Sequence, residues 1–161
     1  MKKNWPMVLA MLVILGLVWG CTTSRETVSF TNDKYKYTVS YPSSWQVNSV
    51  NIAPPPPAGT TFDGGKLAVD IVVWEQPSPN LAEQQHLKSK GWIEETILIA
   101  GETARLFTRP QTDTHTGLWK RLYFTHGYLT YEISLEVLDK SQAKLGFKVF
   151  ENMIQSFRWS D

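Results

Sequence analysis

Cysteine is almost missing from this sequence: Cys21 is the only one among 161 residues. A single thiol excludes an internal disulfide, so the folded part of the chain must be stabilised by its hydrophobic core. A domain of roughly 150 residues can bury about two thirds of the surface that its unfolded chain exposes. The length therefore predicts one domain that is stable without covalent cross-links.

Runs of one charge are also missing. The sequence holds 16 basic and 15 acidic side chains, with a formal net charge of +1, and it has no cluster of lysine or arginine. Binding to DNA or RNA depends on a concentrated positive surface that neutralises phosphates. The composition therefore excludes nucleic acid as an expected partner.

The sequence lacks the residue spacings that mark metal and catalytic sites. Its three histidines, His86, His115 and His126, stand in no HxH, HxxxH or HExxH relation, and only His115 has an acidic neighbour in a polar loop. No Gly-x-Ser-x-Gly elbow or dinucleotide fingerprint is present. Gly64-Gly65-Lys66 precedes a predicted strand, whereas a phosphate loop precedes a helix. We therefore expect no metal, no cofactor and no enzymatic activity.

One long apolar run is present, and it lies at the start of the chain. Lys2-Lys3 precede the run Met7–Trp19, and Gly20-Cys21 follow it. A basic start, a short apolar segment and a small residue before the cut form an export signal. The 13 residues of the run fall short of the roughly 20 that span a bilayer as a helix.

The end of this segment, Val18-Trp19-Gly20-Cys21, resembles the lipobox of bacterial lipoproteins. The resemblance implies that residues 1–20 are removed as a signal peptide and that Cys21 carries acyl chains such as palmitate, which tie the protein to a membrane. Thr22 stands where an aspartate would imply inner-membrane retention. The outer membrane, facing the periplasm, is therefore the expected location in a Gram-negative cell. An uncleaved membrane helix and a secreted soluble form remain alternatives.

Alternation of apolar and polar residues with a period of two predicts strands with one buried face. We expect strands at 35–41, 67–74, 93–99 and 103–109, followed by a hairpin over 118–138. In that hairpin a two-residue turn at His126-Gly127 would pair Phe124 with Leu129. The same register would set Arg121 opposite Glu132 as a cross-strand charge pair.

Two helices are predicted from capping residues and from spacing. Asn80 and Glu83 resemble a capping box, and Gly91 ends a short helix after them. A longer helix begins near Asp139. Its apolar residues follow the spacing of one helical face, and they are Ala143, Phe147, Phe150, Ile154 and Phe157.

These elements together predict an α+β fold. Residues 28–161 would form a single domain, joined to the lipidated cysteine through a linker over residues 21–27. The domain would contain an antiparallel sheet of about six to seven strands. A short middle helix and a long amphipathic C-terminal helix would pack on that sheet.

The stretch from residue 48 to residue 65 predicts a long surface loop, which ends in the turn Asp63-Gly64-Gly65. It contains the one low-complexity tract of the chain, formed by Pro54, Pro55, Pro56 and Pro57. Consecutive prolines favour an extended conformation and cannot donate hydrogen bonds to a sheet. Long loops within a domain are often functional, so the prolines are a candidate surface for a partner.

Two motifs resemble the ends of PsbP-like domains. The stretch Tyr37–Trp45 fits the pattern Y-x-x-x-Y-P-x-x-W that opens such domains, and Met153–Phe157 fits their closing helix, which ends in Ser-Phe. The resemblance covers residues 28–159. It implies an antiparallel sheet with helices on its faces and a function in binding other proteins, without a shared catalytic apparatus.

A second candidate surface lies on the predicted hairpin. Alternation places Trp119, Arg121 and Tyr123 on its outward face, and this composition is typical of the contacts that dominate protein interfaces. We therefore expect a membrane-anchored, extracytoplasmic lipoprotein that binds or helps to assemble another protein of the cell envelope. An exposed aromatic row would also stack on sugar rings, so a small-ligand or glycan-binding lipoprotein is the alternative.

Overall fold

The structure is a computed structural model, and it describes residues 26–50, 58–75, 81–110 and 116–160. Four sequence predictions lie wholly or partly outside these ranges: the signal peptide with the lipidated Cys21 and most of its linker, the tract Pro54–Pro57, the helix cap at Asn80, and the position of His115. The structure does not test them, so they stay predictions.

Ten strands and two α-helices make up the described residues. In chain order they are β1 (Thr27–Asn32), β2 (Tyr37–Pro42), β3 (Gln46–Val50), β4 (Ala58–Asp63), β5 (Leu67–Trp74), α1 (Leu81–Ser89), β6 (Ile93–Ile99), β7 (Glu102–Thr108), β8 (Gly117–His126), β9 (Leu129–Val137), a 3₁₀ turn (Lys140–Gln142), α2 (Ala143–Ser156) and β10 (Arg158–Trp159). Strands β5, β6 and β7 and both helices lie where the sequence pattern predicts them.

The strands form two antiparallel sheets. Seven of them follow the order β3-β4-β5-β9-β8-β7-β6, and β1, β2 and β10 form a small sheet in the order β1-β2-β10. The predicted α+β class and the single domain are confirmed. The predicted antiparallel sheet of about six to seven strands is present with seven strands. The second sheet was not predicted: β1 and β2 pair with each other and with the C-terminal residues instead of joining the large sheet.

The core lies between one face of the large sheet and a layer formed by α2 and the small sheet. Helix α2 buries Val149, Phe150, Met153 and Ile154 against this face, while Phe147 is only partly buried. Gly146 lets the helix approach closely, because a Cβ atom at this position would lie 2.9 Å from Cδ2 of Leu67. The predicted apolar face of α2 therefore packs on the core, but Val149 and Met153 belong to it and Phe147 lies at its margin.

Residues 48–65 do not form one long loop. β3 and β4 pair as an antiparallel hairpin, with Asn48 opposite Thr61, and only residues 51–57 between them lie outside the description. The predicted turn that follows is present: the backbone N–H of Gly65 donates to the Asp63 carboxylate at 2.7 Å, and Gly65 has a φ of +81°. Only glycine adopts that conformation without strain.

The hairpin of β8 and β9 has a register two residues away from the predicted one. His126 pairs with Leu129 and Phe124 with Tyr131, so the turn is formed by Gly127 and Tyr128. Gly127, with a φ of +59°, takes the first position of the turn. Type II′ turns place glycine at this position.

Helix α1 covers the outer face of the large sheet, opposite the core. Leu87 packs there in a small cluster with Phe107, Tyr123 and the partly buried Trp92. Gln84 accepts a hydrogen bond of 2.9 Å from the Arg105 guanidinium on β7. The large sheet is therefore covered on both faces, although the outer cover is small.

Candidate functional site

The predicted surface row of Trp119, Arg121 and Tyr123 is not formed. A β-bulge between Leu118 and Lys120 inserts an extra residue into β8 and turns Trp119 to the core face, where its ring meets that of Phe147 at 5.9 Å. Trp119 and Tyr123 are each only 4% exposed. Simple alternation is broken by a bulge, and for this reason the three residues do not share one face.

Arg121 and Tyr123 instead belong to a partly buried charged cluster under α1. The Arg121 guanidinium contacts the Glu83 carboxylate on α1 and donates to the Tyr123 hydroxyl at 3.2 Å. Its Nε atom lies 3.5 Å from the Glu132 carboxylate on β9, so the predicted charge contact exists although Tyr123 is the residue directly opposite Glu132. Burial raises the pKa of Glu132, and Arg121 opposes that rise. The cluster ties α1 to the sheet.

A cleft of about 480 Å³ lies at the end of the domain where the described chain begins. It is lined by the turn between β2 and β3, the turn between β4 and β5, the first turn of α2, and the residue before β1. These lining residues are Glu26, Ser43, Ser44, Trp45, Gly64, Lys66, Leu67, Gln142 and Leu145. The volume falls in the range typical of small-molecule sites.

Backbone contacts hold the walls of the cleft in place. The N–H of Ser43 donates to the carbonyl of Glu26 at 2.9 Å, and the N–H of Gly64 donates to the carbonyl of Leu67 at 2.9 Å. Gly64 lies directly against Trp45, since a Cβ atom at residue 64 would be 2.5 Å from Cε2 of the indole. The two turns that line the cleft are therefore each tied by a backbone hydrogen bond and pack against each other.

The cleft carries one acidic and one basic side chain. Lys66 also reaches Asp139 outside the lining, with 2.9 Å between Nζ and Oδ2. Hydrogen bonds from Lys66 and then from Ser141 lower the pKa of Asp139 to about 2. Glu26, which is exposed, is the other charged residue of the lining. A ligand in the cleft would therefore meet charges of both signs.

Sequence reasoning missed the cleft, although it had singled out two of its parts. These parts are the motif that ends at Trp45 and the turn at Gly64, and Trp45 is a core residue that is only 8% exposed. The cleft forms because the sheet brings these two turns beside the start of α2. No periodicity within one segment carries that information.

A second feature is one of the two edges of the large sheet, the one formed by β6. Strand β6 is the last in the sheet order and pairs only with β7 among the described strands. Two of its apolar side chains are exposed to solvent, Leu98 at 74% and Ile93 at 53%. Unpaired edges with apolar side chains are templates for the addition of another strand.

The described histidines do not converge with other chemical groups into a metal site. His126 stacks on Trp159 with 3.8 Å between ring centroids, and its Nδ1 lies 2.7 Å from a carboxylate oxygen of Glu102. His86 is exposed on α1. Within the described ranges no three histidine, cysteine or acidic side chains gather where they would hold a metal ion. Neither described helix has the length and apolar character needed to cross a membrane.

No protein-family model and no curated protein matches the sequence. Solved structures do match. The solution structure of cyanobacterial PsbP (CyanoP) from Synechocystis sp. PCC 6803 has a TM-score of 0.61 at 13% identity, covering 87% of this chain and 96% of its own. The Ran-binding protein Mog1p of Saccharomyces cerevisiae has a TM-score of 0.51 at 13% identity, covering 86% of this chain and 97% of its own. The PsbP-like fold expected from the sequence motifs is confirmed.

Proposed function

We propose that this protein is a membrane-anchored, extracytoplasmic lipoprotein whose domain binds another protein of the cell envelope. The lipobox-like sequence that ends in Cys21 supports the anchor. Two or three acyl chains hold a protein on a bilayer far more firmly than one chain does. With Thr22 after the cysteine, the anchor lies in the outer membrane and faces the periplasm if the cell is Gram-negative.

The observation that carries the binding function is the free edge of β6. The strand has seven residues and contains no proline, so its backbone is able to pair along its whole length. The carboxylate of Glu94 is occupied within the chain by Lys88 and by Arg105. The exposed Leu98 and Ile93 are left to contact the side chains of an added strand.

The fold likeness supports the same class of function. Mog1p is a Ran-binding protein, so a domain of this architecture is able to serve as a protein-binding module. Fold alone does not transfer a partner, and none is transferred here. The prolines Pro54, Pro55, Pro56 and Pro57 remain a second candidate contact outside the described residues.

Crosslinking in intact cells tests this proposal. A photoreactive amino acid at Leu98 should capture one discrete partner from the envelope, identified by mass spectrometry. Tyr128 is a matched control, because it is 76% exposed but lies on the hairpin turn and not on the sheet edge. Capture at both positions, or at neither, would contradict a specific contact at β6.

Small-ligand or glycan binding is the second candidate function, and the cleft beside Trp45 favours it. The cleft is concave and contains hydroxyl, amide, carboxylate and ammonium groups, which are the groups that orient polar ligands. Binding of a soluble ligand that chemical shifts map to Trp45, in protein that captures no partner at Leu98, would favour this function over the first.

A further inference from the structure

The position of the cleft relative to the proposed anchor restricts what the cleft can face. Glu26 lines it and follows Cys21 by five residues. Five residues span at most about 17 Å when fully extended. If Cys21 is acylated, as the proposed function requires, the mouth of the cleft lies within this distance of the bilayer surface.

The surface around the cleft is suited to a lipid headgroup region. Leu138 is 52% exposed, and its N–H donates to the carbonyl of Lys66 at 2.9 Å, so it lies beside the cleft. Lys140 and Lys144 are exposed on the two turns that follow. Exposed lysines and an isolated apolar side chain are common where a protein meets the polar region of a membrane.

The charges of the lining select among lipids. An anionic headgroup would meet Lys66 favourably, but it would also meet Glu26 and the neighbouring Asp139. A neutral sugar would leave Glu26 without an ionic partner, whereas Lys66 already has one in Asp139. A headgroup with one positive and one negative group gives Glu26 a cationic partner and gives Lys66 a second anionic one.

We propose that the cleft binds the headgroup of a zwitterionic phospholipid of the phosphoethanolamine type, taken from the membrane that holds the anchor. The Glu26 carboxylate accepts hydrogen bonds from the headgroup ammonium. Lys66 and the hydroxyls of Ser43 and Ser44 donate to the phosphate oxygens. The cleft would thereby fix the orientation of the domain on the bilayer, with β6 free to meet a partner.

Titration of the full-length protein in detergent micelles tests this inference. The indole nitrogens are labelled with ¹⁵N, and the Trp45 signal is identified from its loss in Trp45→Phe. Soluble glycerophosphoethanolamine should shift this signal in a saturable way. Glycerophosphoglycerol, a phosphodiester with the same phosphate charge but without the ammonium group, should bind about tenfold more weakly, as expected for the loss of one hydrogen bond to a charged group. Glu26→Gln should remove the difference between the two compounds.

Two variants separate binding in the cleft from binding elsewhere. Ser44→Tyr fills the cleft and should abolish the response, whereas Ser29→Tyr, at an exposed position of β1 outside the lining, should keep it. No shift with glycerophosphoethanolamine, an equal affinity for glycerophosphoglycerol, or a stronger response to maltose would overturn the proposal.

The intact mass of the same sample reports the anchor independently. An acylated protein that does not respond to glycerophosphoethanolamine would overturn the headgroup site and leave the anchor at Cys21 in place. A response from protein that is not acylated would support the headgroup site and overturn the anchor.

Discussion

Replacing Gly64 by alanine is expected to destabilise the domain through one contact. The added Cβ atom would lie 2.5 Å from Cε2 and 2.6 Å from Nε1 of Trp45. Trp45 is only 8% exposed, so a displacement of its ring disturbs the core contacts around it. Either the ring or the turn between β4 and β5 must shift, and overpacking of this kind costs about 1–3 kcal/mol.

Gly59 provides a matched control for the same substitution. At this position the nearest atom to the added Cβ is Cγ2 of Val72 at 4.0 Å, which is an ordinary contact. Gly59→Ala is therefore expected to change the free energy of unfolding by less than about 0.5 kcal/mol, or to stabilise the protein slightly. The two variants differ in steric contact and not in the chemistry of the change.

Urea unfolding followed by tryptophan fluorescence measures both variants. Gly64→Ala should lower the midpoint without a change in the m value. In a thermal scan it should lower Tm by about 3–5 °C for each kcal/mol. If Gly64→Ala and Gly59→Ala unfold at the same midpoint as the wild type, the close contact between Trp45 and Gly64 is contradicted.

Three further predictions concern the corrected positions and the charges. Trp119→Ala should lower the free energy of unfolding in urea by about 3–5 kcal/mol, because the side chain is buried against α2. An unchanged midpoint would contradict the burial of Trp119. Arg121→Met leaves Glu132 without its buried partner and should cost up to about 3 kcal/mol, and adding Glu132→Leu should recover most of it; no recovery would contradict the pairing. The bond from Lys66 holds the pKa of Asp139 at about 2, below 3.8. The stabilisation of the folded protein by this bond is therefore complete above about pH 4 and is lost as the pH falls towards 2. The Tm difference between wild type and Asp139→Asn should disappear as the pH falls from about 4 to about 2. A difference that stays constant would contradict a stabilising bond between Lys66 and Asp139.

Local patterns predicted the elements whose signals lie within one segment. The hairpin of β6 and β7 follows from alternation around Gly101, and α2 follows from its apolar spacing. The turn after Asp63 follows from its two glycines. In each case the residues that decide the structure are neighbours in sequence, so the expectation and the structure agree.

The missed features depend on contacts between distant segments or on one extra residue. The bulge at Trp119 reverses the face of that side chain, and the alternation on either side of it gives no sign of this. The turn at Gly127 moved the register by two residues because both registers keep the same side chains on the same faces. The cleft needs Ser44, Gly64 and Gln142 together, and only the folded sheet joins them.

The mass spectrum of the N-terminal peptide, taken from the membrane fraction of the native cell, tests the central claim most directly. The proposed function predicts that the chain begins at Cys21, with diacylglyceryl on its sulfur. An unmodified N-terminus at Met1 would contradict the anchor and, with it, the orientation of the cleft towards the bilayer.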